Sequence, residues 1–125
     1  MKRETAGKER RRQPRFRLSG TVLALAGPRG GQRGKVAEIS RGGLSFLYRE
    51  NGGSRFRARR IDLLWSDFVA VHHLEKLPVR TVSDTPVQIR GQHGLRRTGV
   101  AFTRLSPAQE SRLDRLIGSC GISVG

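Results

Sequence analysis

Apolar residues that alternate with polar or small ones, in runs suited to strands and punctuated by glycine-bearing turns, constrain this chain more than any other feature. The pattern Phe16, Leu18, Gly20, Val22, Ala24 predicts a first strand. Gly27-Pro28-Arg29-Gly30-Gly31 predicts the turn that ends it. A second strand is expected from Arg33 to Ser40, with Ala37 and Ile39 on one face and Val36, Glu38 and Ser40 on the other. Leu44, Phe46 and Tyr48 mark a third, and Asn51-Gly52-Gly53 a reversal. Ile61, Leu63 and Trp65 begin a fourth, which resumes through Phe68, Val69 and Val71. Val79 to Ser83, Val87 to Arg90 and Arg96 to Thr103 supply the rest. Such spacing predicts a mainly β domain, an antiparallel barrel of about six strands, closed or nearly so.

One helix is expected, at the end. Ser106 has the character of an N-cap, Pro107 suits the first helical position, and Gln109 stands where it completes a capping box. Leu113, Leu116 and Ile117 recur at helical spacing, so one face should lie on the barrel, and Gly118 is expected to stop the helix. A chain of 125 residues suits one domain. The organisation expected is a flexible basic arm over residues 1–10, a domain over 11–118 and a tail over 119–125. Cys120 is the single cysteine, so no intrachain disulfide can form. No opening apolar run resembles a secretory signal, and no stretch is long and apolar enough to cross a bilayer. The expectation is a cytoplasmic protein without membrane insertion.

Charge narrows the partners. Lys+Arg 25 against Asp+Glu 10 gives +15, and with lysine only at Lys2, Lys8, Lys35 and Lys76, arginine supplies the other 21. Within Met1 to Arg17, eight basic residues oppose Glu4 and Glu9, a local balance of +6. Such a segment should stay disordered until an anion arrives. Guanidinium is planar, permanently charged and able to donate two parallel hydrogen bonds, so it fits a phosphate edge or the O6/N7 edge of guanine. Arg11 and Arg15 lie four residues apart in this segment, and Arg10 adds charge or a stacking plane. Further on, Glu38-Ile39-Ser40-Arg41-Gly42-Gly43 offers a carboxylate that accepts from guanine N–H groups and a hydroxyl that donates to phosphate, with Gly43 allowing close backbone approach.

Together, Arg11-x-x-x-Arg15 and Glu38-x-Ser40-x-x-Gly43 resemble the bipartite signature of the PilZ domain family, bacterial receptors for cyclic di-GMP. Gly99-Val100-Ala101-Phe102 and Leu105-Ser106-Pro107 with the closing helix are similar to that family's last strand and helix. The second motif usually begins with Asp or Asn, and here it begins with Glu38. The resemblance implies a split barrel that binds cyclic di-GMP through Arg11, Arg15, Glu38, Ser40 and Gly43, assisted by Arg10. It also implies that ligand binding orders the arm and relays a signal to a downstream protein partner.

Two rivals stand beside it. One is a small β-barrel that binds nucleic acid, which the charge favours; seven aromatics, with no aromatic-rich strand, count against it. The other is a module of the same family that has lost the ligand and acts through protein contacts, a reading for which Glu38 is the motive. The residues disfavour an enzyme and a bound cofactor. His72-His73 points to opposite faces of a strand, Gly30-Gly31-Gln32-Arg33-Gly34 lacks the Lys-Ser/Thr ending of a P-loop, and Cys120 has no matching base. Trp65 and Phe68 are expected in the core or at its rim.

Overall fold

The structure, a computed structural model, describes residues 14–27, 31–50, 55–67 and 69–123. Arg10 and Arg11, the reversal at Asn51-Gly52-Gly53 and Phe68 therefore lie outside the described residues. Eight strands and one helix are described: β1 (Phe16–Leu18), β2 (Val22–Ala26), β3 (Gln32–Ile39), β4 (Gly43–Arg49), β5 (Arg60–Ser66), β6 (Val71–Pro86), β7 (Leu95–Phe102), α1 (Pro107–Cys120) and β8 (Gly121–Ser123). The neighbour order is β2-β5-β6-β7-β4-β3, and a β3–β2 pairing closes it into a six-stranded antiparallel barrel with β1 and β8 as an annex beside β3. The expected architecture is the one observed.

Alternation fills the interior. Val22, Ala24 and Ala26 from β2, Leu44, Phe46 and Tyr48 from β4, and Ile61, Leu63 and Trp65 from β5 are all buried. Phe46 and Phe56 meet edge-on with centroids 4.8 Å apart. At one end of the barrel Arg96 is buried between partly buried partners: its Nε donates to Asp84 Oδ1 at 2.8 Å, and Glu50 lies 3.7 Å away. Tyr48 donates its hydroxyl to the same Asp84, at 2.8 Å, and accepts from Phe56 N–H. The hydrogen bond to Asp84 holds the Arg96 pKa above its ordinary value.

α1 lies against the barrel and buries Leu113 and Leu116. Its capping box is complete: Ser106 Oγ accepts from Gln109 N–H at 3.1 Å, and Gln109 Oε1 accepts from Ser106 N–H at 2.9 Å. The amide of Gln109 also donates to the carbonyls of Glu75 and Lys76, at 3.1 and 3.0 Å, tying the cap to β6.

Several local expectations are corrected. The first strand divides at Ser19-Gly20, where Gly20 takes φ +82°, so β1 and β2 pair with different halves of β3. A bulge between Val36 and Glu38 shifts the parity of β3, so Val36 and Ile39 are both buried while Glu38 is turned outward. Val71 does not resume the fourth strand; the chain reverses at Asp67 to Ala70, and β6 then runs unbroken through the expected 79–83 strand. Val87 to Arg90 forms no strand, only a bridge between Ile89 and Gln92 across a turn. Gly118 stays helical, and the cap is Gly121, whose N–H donates to Ile117 O. Residues 121–123, expected in a tail, form β8, because Leu18, Arg17 and Phe16 offer them an open strand edge.

Candidate functional site

β1 is short, and its position is set from both sides. It pairs with β3 through Phe16 to Ile39 and Arg17 to Glu38, and with β8 through Leu18 to Gly121. Ser19 N–H and its hydroxyl both donate to the Cys120 carbonyl, at 2.8 and 3.2 Å, so the end of α1 is fastened to the end of β1. Continuing the β1–β3 register by one step sets Arg15 opposite Ser40.

Across the barrel's outer face, Glu38, Ser45, Gly99 and Ser83 are successive lateral partners on β3, β4, β7 and β6. The small residues Ser45, Gly99 and Ser83 make the floor of a surface cleft of about 410 Å³, walled by Arg15, Glu38, Ser40 and Arg97. A Cβ on Gly99 would come within 2.7 Å of Ser83 Oγ, so glycine keeps that floor low. The cleft is half-open and mixes polar with apolar lining, with hydroxyls from Ser45 on β4, Ser83 on β6 and Ser40 in the turn after β3.

Glu38 stands between two guanidinium groups. Arg15 Nη1 is 3.9 Å from Glu38 Oε1, and Arg97 Nη2 is 3.5 Å from Glu38 Oε2 while donating to Ser45 Oγ at 3.0 Å. These are partly exposed contacts at the long end of the ion-pair range, so solvent screens them. Ser40 holds the following turn: its hydroxyl accepts from Gly42 N–H at 3.2 Å and donates to Gly43 O at 3.3 Å, and its own N–H donates to Gly43 O at 2.8 Å. Arg41 turns away to α1, where Nε and Nη2 grip Asp114 Oδ1 and Oδ2 at 2.9 and 3.0 Å.

Of the residues singled out from sequence, Arg15, Glu38, Ser40 and Gly43 converge on this one cleft. Arg10 and Arg11 lie outside the described residues. Gly43 carries an unexpected role. A Cβ there would overlap the Val100 carbonyl oxygen and stand 3.1 Å from Ala101 Cα, so the position admits only glycine because β4 begins in close contact with β7. Sequence reasoning missed Arg97, Ser45, Ser83 and Gly99. Arg97 precedes Gly99 by two residues on β7, and period-2 alternation would have put both on the outer face once that strand was known to neighbour β4.

The histidines have local duties. His72 Nε2 lies 2.7 Å from Asp67 Oδ2 and its ring stacks on Trp65 at 5.2 Å, while His73 Nε2 lies 2.8 Å from Asp62 Oδ2. Among the described residues no cluster of three or more His, Cys, Asp or Glu could hold a metal ion, and no helix is long and apolar enough to cross a membrane.

The comparisons with known proteins agree with this fold. The model of the PilZ domain matches residues 9–119, and the chain belongs to the PilZ domain family. Among solved structures the chain is similar to YcgR from Escherichia coli in complex with c-di-GMP, at 23% identity and a TM-score of 0.59 over 88% of this chain and 45% of that one. It is similar also to the PilZ domain of YcgR from Escherichia coli with c-di-GMP, at 22% identity and a TM-score of 0.57, over 88% of this chain and 90% of that one. The chain thus spans less than half of the first structure's length and most of the second's; at these identities the likeness is one of fold. No curated protein matches the chain.

Proposed function

We propose that this chain is a cyclic di-GMP receptor, which binds the ligand in the cleft between β3 and β7 and orders its N-terminal arm over it. The observation that carries the reading is the convergence of Arg15, Glu38 and the Ser40 turn in one cleft of a PilZ domain. The YcgR structures similar to this fold contain c-di-GMP. The donor set suits such a ligand. Arg15 and Arg97 offer guanidinium forks to phosphate or to a guanine edge, Ser40, Ser45 and Ser83 offer hydroxyls, and Glu38 accepts from guanine N–H groups. The cleft volume lies within the ordinary range for ligand sites.

Glu38 makes the binding competitive. In the described arrangement it faces both Arg15 and Arg97, so phosphate must draw Arg15 away while guanine N–H groups take its place on the carboxylate. Arg11, one helical turn's worth of sequence before Arg15, closes from the arm, and Arg10 adds charge. Closure by a disorder-to-order step changes the surface that a downstream protein partner meets.

Calorimetric titration with cyclic di-GMP, and with GTP as control, tests the reading. Arg11→Ala and Arg15→Ala are each expected to weaken binding at least about tenfold, since a lost charged contact near 1.4 kcal/mol corresponds to that factor. Unchanged affinity in both would refute it. A second reading rests on the Glu38 pairs: the carboxylate seals the cleft and the domain serves only protein contacts. If wild type shows no binding and Glu38→Asp creates it, that reading replaces the first.

A further inference from the structure

β6 is sixteen residues long, and no single strand accompanies it throughout. β5 pairs with it only as far as Arg60 to Pro78, and β7 pairs with it from Val79 to Pro86. The bend falls at Lys76, which takes φ +56° and whose N–H donates to Asp62 Oδ1 at 2.9 Å. Beyond Pro78 the β5 side of β6 therefore has no strand partner among the described residues. Val79 N–H makes the last bond there, to Arg59 O at 2.8 Å. By the alternation of an antiparallel ladder, the N–H and C=O of Thr81 point to the same side.

A cleft of about 720 Å³ opens at this seam, between the extended segment 56–60 and residues 78–81 of β6. Its rim carries Arg57, Arg59, Arg60 and Arg80, all exposed. No carboxylate among the described residues lies within 4.0 Å of any of the four. No acidic residue among the described ones lines the cleft.

We infer that this seam is a docking site for an acidic, extended polypeptide segment of a partner protein, added as a strand beside Thr81, whose main-chain groups face the open side, with its carboxylates on the four arginines. Open main-chain groups supply affinity to an added strand, and charge supplies selectivity. Like charge on an open edge keeps second copies of the chain apart, so the occupant must bring the opposite sign. The chain's own N-terminal arm is arginine-rich and cannot supply it. Nucleic acid would satisfy the charge but would leave the strand edge unused. The inference does not rest on cyclic di-GMP binding: the ligand cleft and the seam are separate, although Val82 and Ser83 line the first and Arg80 and Thr81 the second on the same strand.

The test uses the full chain, labelled for amide NMR, and a synthetic peptide of about eight alternating Glu and Val residues, the length of an ordinary strand. Saturable shifts centred on Arg57, Arg59, Val79 and Thr81 are expected. N-methylation of alternate peptide amides should abolish them, and combining Arg57→Ser, Arg59→Ser and Arg80→Ser should weaken binding at least roughly tenfold. The proposal is overturned by silence up to about 1 mM peptide, a very weak affinity, or by shifts indifferent to N-methylation. Stronger perturbation of the same amides by an oligothymidylate of equal charge overturns it in favour of nucleic acid. Concentration-dependent broadening of these amides without peptide overturns it in favour of a second copy.

Discussion

Gly43→Ala separates two accounts of one glycine. If Gly43 serves the ligand, alanine lowers affinity and leaves stability alone; if it serves the contact of β4 with β7, alanine destabilises the domain with or without ligand. The geometry favours the second. The added Cβ would overlap the Val100 carbonyl oxygen and approach Ala101 Cα to 3.1 Å, and both are backbone atoms that no rotamer change can remove. Restoring ordinary contact requires the strands to part by on the order of 1 Å at this point. The neighbouring bond from Phe102 N–H to Gly42 O, now 2.9 Å, would then be lost. One or two ladder bonds at about 0.5–1.5 kcal/mol each, together with overpacking strain of about 1–3 kcal/mol, give a loss of roughly 1.5–6 kcal/mol. For a domain with about 5–15 kcal/mol in total, that is a large fraction. Trp65 is the single tryptophan and is buried, so its fluorescence reports urea unfolding directly. A midpoint equal to wild type, with only cyclic di-GMP affinity reduced, would show the strand-packing argument to be mistaken.

Three further outcomes are expected. Thr98 is fully buried and its hydroxyl has no partner among the described residues, so Thr98→Val should raise stability by about 1 kcal/mol in the same urea assay; a lowered midpoint would mean that the hydroxyl is satisfied in solution. The Asp67 carboxylate is held at about 2 rather than 3.8, first by Ala70 N–H, then by His72 and Val69 N–H. A depressed folded-state pKa means that its contribution is complete above 3.8 and is lost as pH falls through about 2, so Asp67→Asn should flatten that limb of an acid-unfolding curve, and an unaltered limb would exclude the residue. The Arg41–Asp114 pair is bidentate but half-exposed, so a double-mutant cycle with Arg41→Ala and Asp114→Ala should return a coupling of about 0.5–1 kcal/mol that shrinks in high salt; zero coupling at low salt would exclude a stabilising role.

Part of what the residues declared locally held. Alternation placed Leu44, Phe46 and Tyr48 inside and announced an antiparallel barrel, and Ser106-Pro107 with Gln109 named the start of α1, since capping and facing depend on neighbours in the chain. Arg15, Glu38, Ser40 and Gly43 were legible as one set through their resemblance to the PilZ signature, and they line one cleft. Alternation reports which face a side chain takes, however, and is silent about which strand lies alongside. Arg97 joined the cleft only when β7 was found beside β4, and the 121–123 segment became a strand only because β1 left an edge free. The bulge at Ala37 and the bend at Lys76 likewise lie where β3 pairs with β4 and β6 with β5, details of pairing that alternation does not report. Gly43 shows the division most sharply: any reader of the chain sees a residue without a side chain, yet only the packed barrel reveals that the Val100 carbonyl fills the space where one would be.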